Sequence, residues 1–336
     1  MRRTGVIVAT LLSAILVPSI GGATDTELPV VFFGTQDGPA ADLFVEAGDG
    51  MEPIVVSAGH DCGPAISASG QLVFASTRAV QTYPGPTSFD LYLKETRGSE
   101  PLRLTATPDE LELFPMWSPD EEWIVFFRGD VHEGPLSIWK MRPDPSNPDA
   151  QQLTFPAPGQ NHVMPAWSPD GTLISYTVGS GPLGVLDPSV WIMNADGTDQ
   201  RSLIEDATDA TWHPDGTTIA FSNTAGRATY LSNIGAISFD PETGTVDASS
   251  RRIVVGDLAA LYQPTYAADG SLGYVRDPDG GLGVPLALPD GTTRDMWVGG
   301  PERADVWVLG EDAPRTAGGA GYGHPAFAPF AGWWGS

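Results

Sequence analysis

The sequence predicts an all-β chain, a six-bladed β-propeller of four-stranded antiparallel blades, closed by joining N-terminal and C-terminal strands in one blade. Three observations predict it. One short phrase recurs six times, with starts 45 to 61 residues apart, a period that suits a four-stranded blade. Glycine (40) and proline (31) are frequent and no long run carries the i, i+3, i+4, i+7 spacing of an amphipathic helix, so many short strands and turns are expected. The two ends of the chain hold complementary parts of a single blade.

The phrase is clearest in Pro115-Met-Trp-Ser-Pro-Asp-Glu121, Pro165-Ala-Trp-Ser-Pro-Asp-Gly171 and Ala210-Thr-Trp-His-Pro-Asp-Gly216. Weaker copies begin at Pro64, Pro264 and Pro325. Its third position is always bulky (Ile66, Trp117, Trp167, Trp212, Tyr266, Phe327), as a strand residue wedged between blades should be. Pro-Asp-Gly is turn chemistry: proline presets φ, aspartate bonds its own backbone and glycine accepts positive φ. Asp120, Asp170, Asp215 and Asp269 are therefore expected to close turns rather than to form an acidic site.

Ten or eleven residues after each start comes an aromatic on a second strand: Phe74, Phe126, Tyr176, Phe221 and Tyr274. A third strand reads as Asp90–Lys94, Ser137–Met141, Ser189–Met193 and Ile234–Ser238, and a short outer one as Leu102–Thr105, Gln151–Thr154 and Arg201–Ile204. At the N-terminal end, Val30–Phe33, Asp42–Val45 and Pro53–Val56 look like strands two to four of a blade without strand one. The copy at Pro325 is a strand one with nothing after it, so joining the ends closes the ring and removes two open sheet edges. Residues 264 to 324 hold one strand-like segment too many (Val284–Leu288 and Ala304–Leu309), which leaves a seventh blade as the alternative count.

Residues 1–23 read as a secretory signal, with Arg2 and Arg3, an apolar run from Val6 to Val17, Pro18 and a small-residue end at Gly21-Gly22-Ala23. Residues 24–336 are then one propeller domain, and no stable membrane insertion is expected after cleavage, because the apolar run is too short to span a bilayer. The net charge of −25 falls to −27 on removal of the signal, since two arginines and no acid leave with it. Such a surface is a poor partner for nucleic acid. Cys62 is the sole cysteine, so no intramolecular disulfide forms, and it is expected to be a small buried apolar residue.

The phrase Trp167-Ser-Pro-Asp-Gly171, an aromatic-bearing strand, and Trp191-Ile-Met-Asn-Ala-Asp-Gly197 leading into an outer strand together resemble the propeller repeat of TolB-type, WD-repeat-like periplasmic proteins. The resemblance covers the propeller alone, residues 30 to 331. It implies an exported, periplasmic or extracellular, non-enzymatic scaffold that binds a protein or other ligand, with a protein or peptide of the cell envelope as partner. The same propeller type gates serine peptidases of the prolyl oligopeptidase class, but no Gly-x-Ser-x-Gly elbow followed by an α/β segment is present.

No His-Glu-x-x-His, paired-cysteine or phosphate-loop pattern appears, so no metal or other cofactor is expected. Asp196–Asp199 and Asp277–Gly281 resemble pieces of calcium loops but lack the spaced acids and distal glutamate. The candidate ligand-binding residues are His60, Glu112, His162, Asp209, Gln263 and His324, all shortly before a first strand. Arg78, Arg128 and Arg276, just after a second strand, belong to the same face. In a propeller the loops entering the inner strands gather at one mouth of the channel, so these side chains can converge there. The alternative to a binding scaffold is a hydrolase or polysaccharide lyase with a polar or metal site at that mouth.

Overall fold

The computed structural model describes residues 30–34, 42–47, 50–79, 88–107, 110–130, 135–146, 149–181, 184, 186–224, 232–256, 260–277, 305–308 and 326–327. The expected signal at 1–23, the segment Val284–Leu288 and His324 lie outside them.

The described strands form six antiparallel sheets. The first holds β1 (Val30–Gly34), β2 (Asp42–Ala47) and β3 (Gly50–Val55). The second runs through β4 (Asp61–Ile66), β5 (Leu72–Ser76), β6 (Asp90–Lys94) and β7 (Leu102–Arg103), and the third through β8 (Leu111–Trp117), β9 (Ile124–Gly129), β10 (Ser137–Met141) and β11 (Ala150–Gln152). The fourth comprises β12 (Gln160–Trp167), β13 (Leu173–Ser180), β14 (Leu186–Asn194) and β15 (Arg201–Glu205). The fifth comprises β16 (Ala207–Trp212), β17 (Thr218–Asn223), β18 (Asn233–Asp240) and β19 (Thr245–Val255). The sixth has three described strands, β20 (Ala260–Tyr266), β21 (Leu272–Asp277) and β22 (Asp305–Val308). β23 (Ala326–Phe327) returns to the first sheet and pairs with β1, Val30 opposite Phe327 and Val31 opposite Ala326.

In the second to fifth sheets the outermost strand is the most exposed. β4 is buried at every position and β8 at all but one, whereas both residues of β7 are exposed and β19 is largely so. The reason is packing on both faces. β4 lies against β8, β8 against β12, β12 against β16 and β16 against β20, so the inner strands are covered by neighbouring sheets and their polar residues must find partners there.

The wedge residues behave as their size requires. Trp117, Trp167 and Trp212 are at most 9% exposed. Trp117 Nε1 donates to Ala65 O of the preceding sheet at 3.2 Å, and Trp212 Nε1 to Ser175 Oγ at 3.0 Å. Phe74, Phe126, Tyr176 and Phe221 are fully buried, each stabilising the stack by about 2–3 kcal/mol through removal of ring surface from water. The aspartates close turns: the backbone N–H two residues on reaches Asp120, Asp170, Asp215 and Asp269 Oδ1 at 3.0, 3.0, 2.8 and 2.8 Å. Cys62 is 2% exposed, and burial pushes its thiol pKa up. Among the described residues, no helix is long and apolar enough to cross a membrane.

Candidate functional site

Each of the five described inner strands from β4 to β20 carries the same irregularity. Two of its residues, Gly63-Pro64, Phe114-Pro115, Met164-Pro165, Asp209-Ala210 or Gln263-Pro264, stand opposite one residue of the second strand. That one residue is Phe74, Phe126, Tyr176, Phe221 or Tyr274. This is a β-bulge, where a proline inside a sheet forfeits no ladder bond. The first bulge residue is left-handed in all five, with φ of 52°, 54°, 52°, 52° and 51° in chain order. Only Gly63 takes that conformation freely; the other four hold it against about 1–2 kcal/mol of backbone sterics.

The bulges line a narrow axial cavity that includes Phe114, Met116, Met164, Ala166, Asp209 and Gln263. Ala65, Met116, Ala166 and Thr211 also line a wider funnel of about 990 Å³, which continues towards the Ser-Pro turns. Most of the narrow part is apolar or small. Its polar lining is Asp209 and Gln263 with Thr211 and Thr265. Ser222 Oγ joins the first two, donating to Asp209 Oδ2 at 3.1 Å and accepting from Gln263 N–H at 3.2 Å. Loss of hydration pushes the Asp209 carboxyl up to about 6, against the pull of Ser222, the Gln263 backbone and Thr208. Gln263 Oε1 is buried and accepts no hydrogen bond.

Of the candidates expected in a loop entering an inner strand, Glu112, His162, Asp209 and Gln263 lie inside that strand, and Arg128 and Arg276 lie inside a second strand rather than after it. Glu112, on β8, is fully buried, takes bonds from Thr105 and Thr107, and meets Arg128 at 3.0 Å. Burial raises its pKa to about 7 despite those partners. Arg128 also reaches Glu110 at 2.7 Å and lies over the Trp139 ring. Arg78 bonds Asp61 at 2.8 Å and covers Phe74 and Tyr92. Burial pushes the Asp61 carboxyl up, and Arg78, Ser76 and Ser57 pull it back. His60 packs its ring edge on Phe89, and its backbone exchanges bonds with Thr77. His162, on β12, packs against Tyr176, and burial holds its pKa down at about 4, so the ring is neutral at pH 7. Arg276 lies in β21, its backbone opposite Leu261 and Asp305.

The structure thus brings together Glu112 with Arg128, and Asp209 with Gln263. Among the described residues no three His, Cys, Asp or Glu side chains are placed to hold a metal. Two features escape a reading of side-chain types. Asp61 occupies the Glu112 position one sheet earlier, masked in the sequence by its neighbour His60. Phe114 and Met164 share the bulge position of Asp209 and Gln263, for which the signal is a proline inside an otherwise unbroken strand.

Inner strands converging on an axis, with exposed outer strands at the rim, define a β-propeller. The chain is similar to TolB-type β-propeller proteins in sequence and in fold. The Tol-Pal system protein TolB of Nitratidesulfovibrio vulgaris is 28% identical over 147 residues, which is 44% of this chain and 30% of the relative. The chain therefore matches less than a third of that relative's length. The crystal structure of TolB from Acinetobacter baumannii aligns with a TM-score of 0.60 at 18% identity, covering 90% of this chain and 67% of that one. The oligogalacturonate lyase of Vibrio parahaemolyticus aligns at 0.51 and 12% identity, covering 75% of this chain and 72% of that one. Both structural likenesses are of fold. No family model matches the chain.

Proposed function

We propose that the chain is an exported six-bladed propeller whose first and last strands share one blade, and that it is a non-enzymatic scaffold holding a protein or peptide of the cell envelope in its axial cavity. The observation that carries this reading is the convergence of five inner strands on one cavity whose lining includes the Asp209 carboxyl and the Gln263 amide. The pairing of β23 with β1 supports the shared blade. The apolar leader supports export, and kinship with a Tol-Pal system protein supports an envelope partner.

Of the other candidates, Glu112, Arg78 and Arg128 serve the scaffold, since each spends its charge on a partner in its own sheet. A hydrolase or lyase has only likenesses of fold to solved enzymes behind it, and fold does not carry chemistry.

The test is a cavity-filling variant. Met164→Trp is expected to keep the melting temperature within a few degrees and to abolish in-cell crosslinking to the envelope partner captured by the wild type. Crosslinking that survives in the variant overturns the cavity as the binding site. N-terminal sequencing of the exported protein is expected to begin at Thr24, and a chain that keeps residues 1–23 in the cytoplasm overturns export.

A further inference from the structure

We infer that Asp209 and Gln263 form a subsite for the cationic side chain of an extended peptide, a lysine or arginine whose apolar stem lies along Met116 and Met164. This rests on the axial cavity as the binding site and adds the chemistry it selects.

Three buried carboxylates elsewhere in the fold each face an arginine. Asp61 has Arg78 at 2.8 Å, Asp90 has Arg103 at 2.7 Å and Glu112 has Arg128 at 3.0 Å. A buried charge requires such a partner. Asp209 breaks that pattern. Its partners are the Ser222 and Thr208 hydroxyls and the Gln263 backbone, and among the described residues no cation pairs with it. Beside it, Gln263 Oε1 accepts nothing. A carboxylate without a cation and an amide oxygen without a donor thus stand on the same wall of a cavity.

A lysine or arginine satisfies both. Its head supplies several N–H donors with the compensating charge, and its methylene stem suits the methionine-lined stretch, as such stems readily cover apolar surface. A neutral aliphatic side chain leaves both oxygens unmatched, and an acidic one adds repulsion. The narrowness of the cavity selects an extended segment over a folded surface. The chain's net charge of −25 draws basic segments towards it.

The experiment follows the methionine methyl signals of methyl-13C-labelled protein, with Met164→Leu used for assignment. Capped peptides acetyl-Gly-Gly-Xaa-Gly-Gly-amide are titrated in, with lysine, arginine, norleucine or glutamate at the centre, and n-butylamine separately. Saturable shifts at Met116 and Met164 are expected with lysine and arginine, and norleucine should bind at least tenfold more weakly. Asp209→Asn should weaken the lysine peptide at least tenfold and leave norleucine unchanged. Equal binding of norleucine and lysine overturns the cation subsite and leaves the cavity reading standing. Butylamine binding as tightly as the lysine peptide replaces the peptide with a free amine. No shift with any probe overturns the subsite, and the crosslinking of Met164→Trp then decides the cavity reading by itself. The melting curve of Asp209→Asn establishes that the variant is folded.

Discussion

Phe114 and Met164 hold the same left-handed backbone angle, 54° and 52°, on neighbouring inner strands, each one residue before a proline and opposite a buried aromatic. The shared feature is a backbone shape, so side chains there are exchangeable to the extent that packing allows. Gly63, the glycine at this position, has room for a Cβ, with the nearest atom, Phe114 N, at 3.5 Å. Gly63→Ala should therefore cost only about 1 kcal/mol in urea unfolding, from backbone sterics alone. Phe114→Gly relieves that strain but removes a ring 8% exposed and stacked 5.4 Å from Phe127, for a net loss of about 2–4 kcal/mol. Met164→Gly, at a partly exposed site, should fall well below that.

Trp212 and Trp167 fill equivalent wedges, yet Trp212 donates to Ser175 at 3.0 Å while Trp167 Nε1 is buried without an acceptor. Replacement by phenylalanine removes a similar volume at both. Trp212→Phe should cost about 1 kcal/mol more than Trp167→Phe, the worth of one buried hydrogen bond. Equal losses would show that the indole N–H of Trp212 contributes nothing.

Glu112 sets a pH dependence. Its pKa is about 7 in the fold and 4.5 as a model group, so the folded state holds the proton more tightly. Its contribution is complete below pH 4.5 and is lost as pH rises through 7, a change of roughly 3 kcal/mol. Asp209, raised to about 6, acts in the same direction. His162, lowered to about 4 from 6.5, acts in the opposite one, favouring the fold above pH 6.5 and losing that contribution as pH falls towards 4. Glu112→Gln should flatten the decline of stability between pH 5 and 8 relative to wild type, measured by chemical unfolding at each pH.

Val31 and Ala326 are paired across β1 and β23, at a separation a disulfide can span in an antiparallel ladder. Val31→Cys with Ala326→Cys should oxidise readily and raise the unfolding free energy, by as much as about 6 kcal/mol if chain entropy alone acts. Cys62 is buried and does not compete. Failure of the pair to oxidise would contradict the shared sheet.

Much of the architecture was legible because its determinants are side-chain types at fixed spacing. Tryptophan at the wedge, an aromatic ten or eleven residues on and Pro-Asp-Gly at the turn each have one physical use, and the buried rings and aspartate turns follow from them. β6 and β10 match their expected ranges, while β7 and β11 end earlier because the outermost strands have pairing on one side only. The site was less legible. Gly63, Phe114, Met164, Asp209 and Gln263 have no chemistry in common, and a residue before proline ordinarily reads as extended, so nothing in their identities announces a left-handed bulge. The arginines were legible as a group, but their partners were not, because Asp61 and Glu112 become equivalent only once strand register is known.

The pairing of β23 with β1 also sets a timetable. The edge of β1 is synthesised first and its neighbour last, so a chain still emerging from the ribosome or crossing a membrane carries an open template for strand addition until its final segment arrives. Until β23 pairs, that edge stays open, so a chain released before β23 is made carries a sticky site for strand addition.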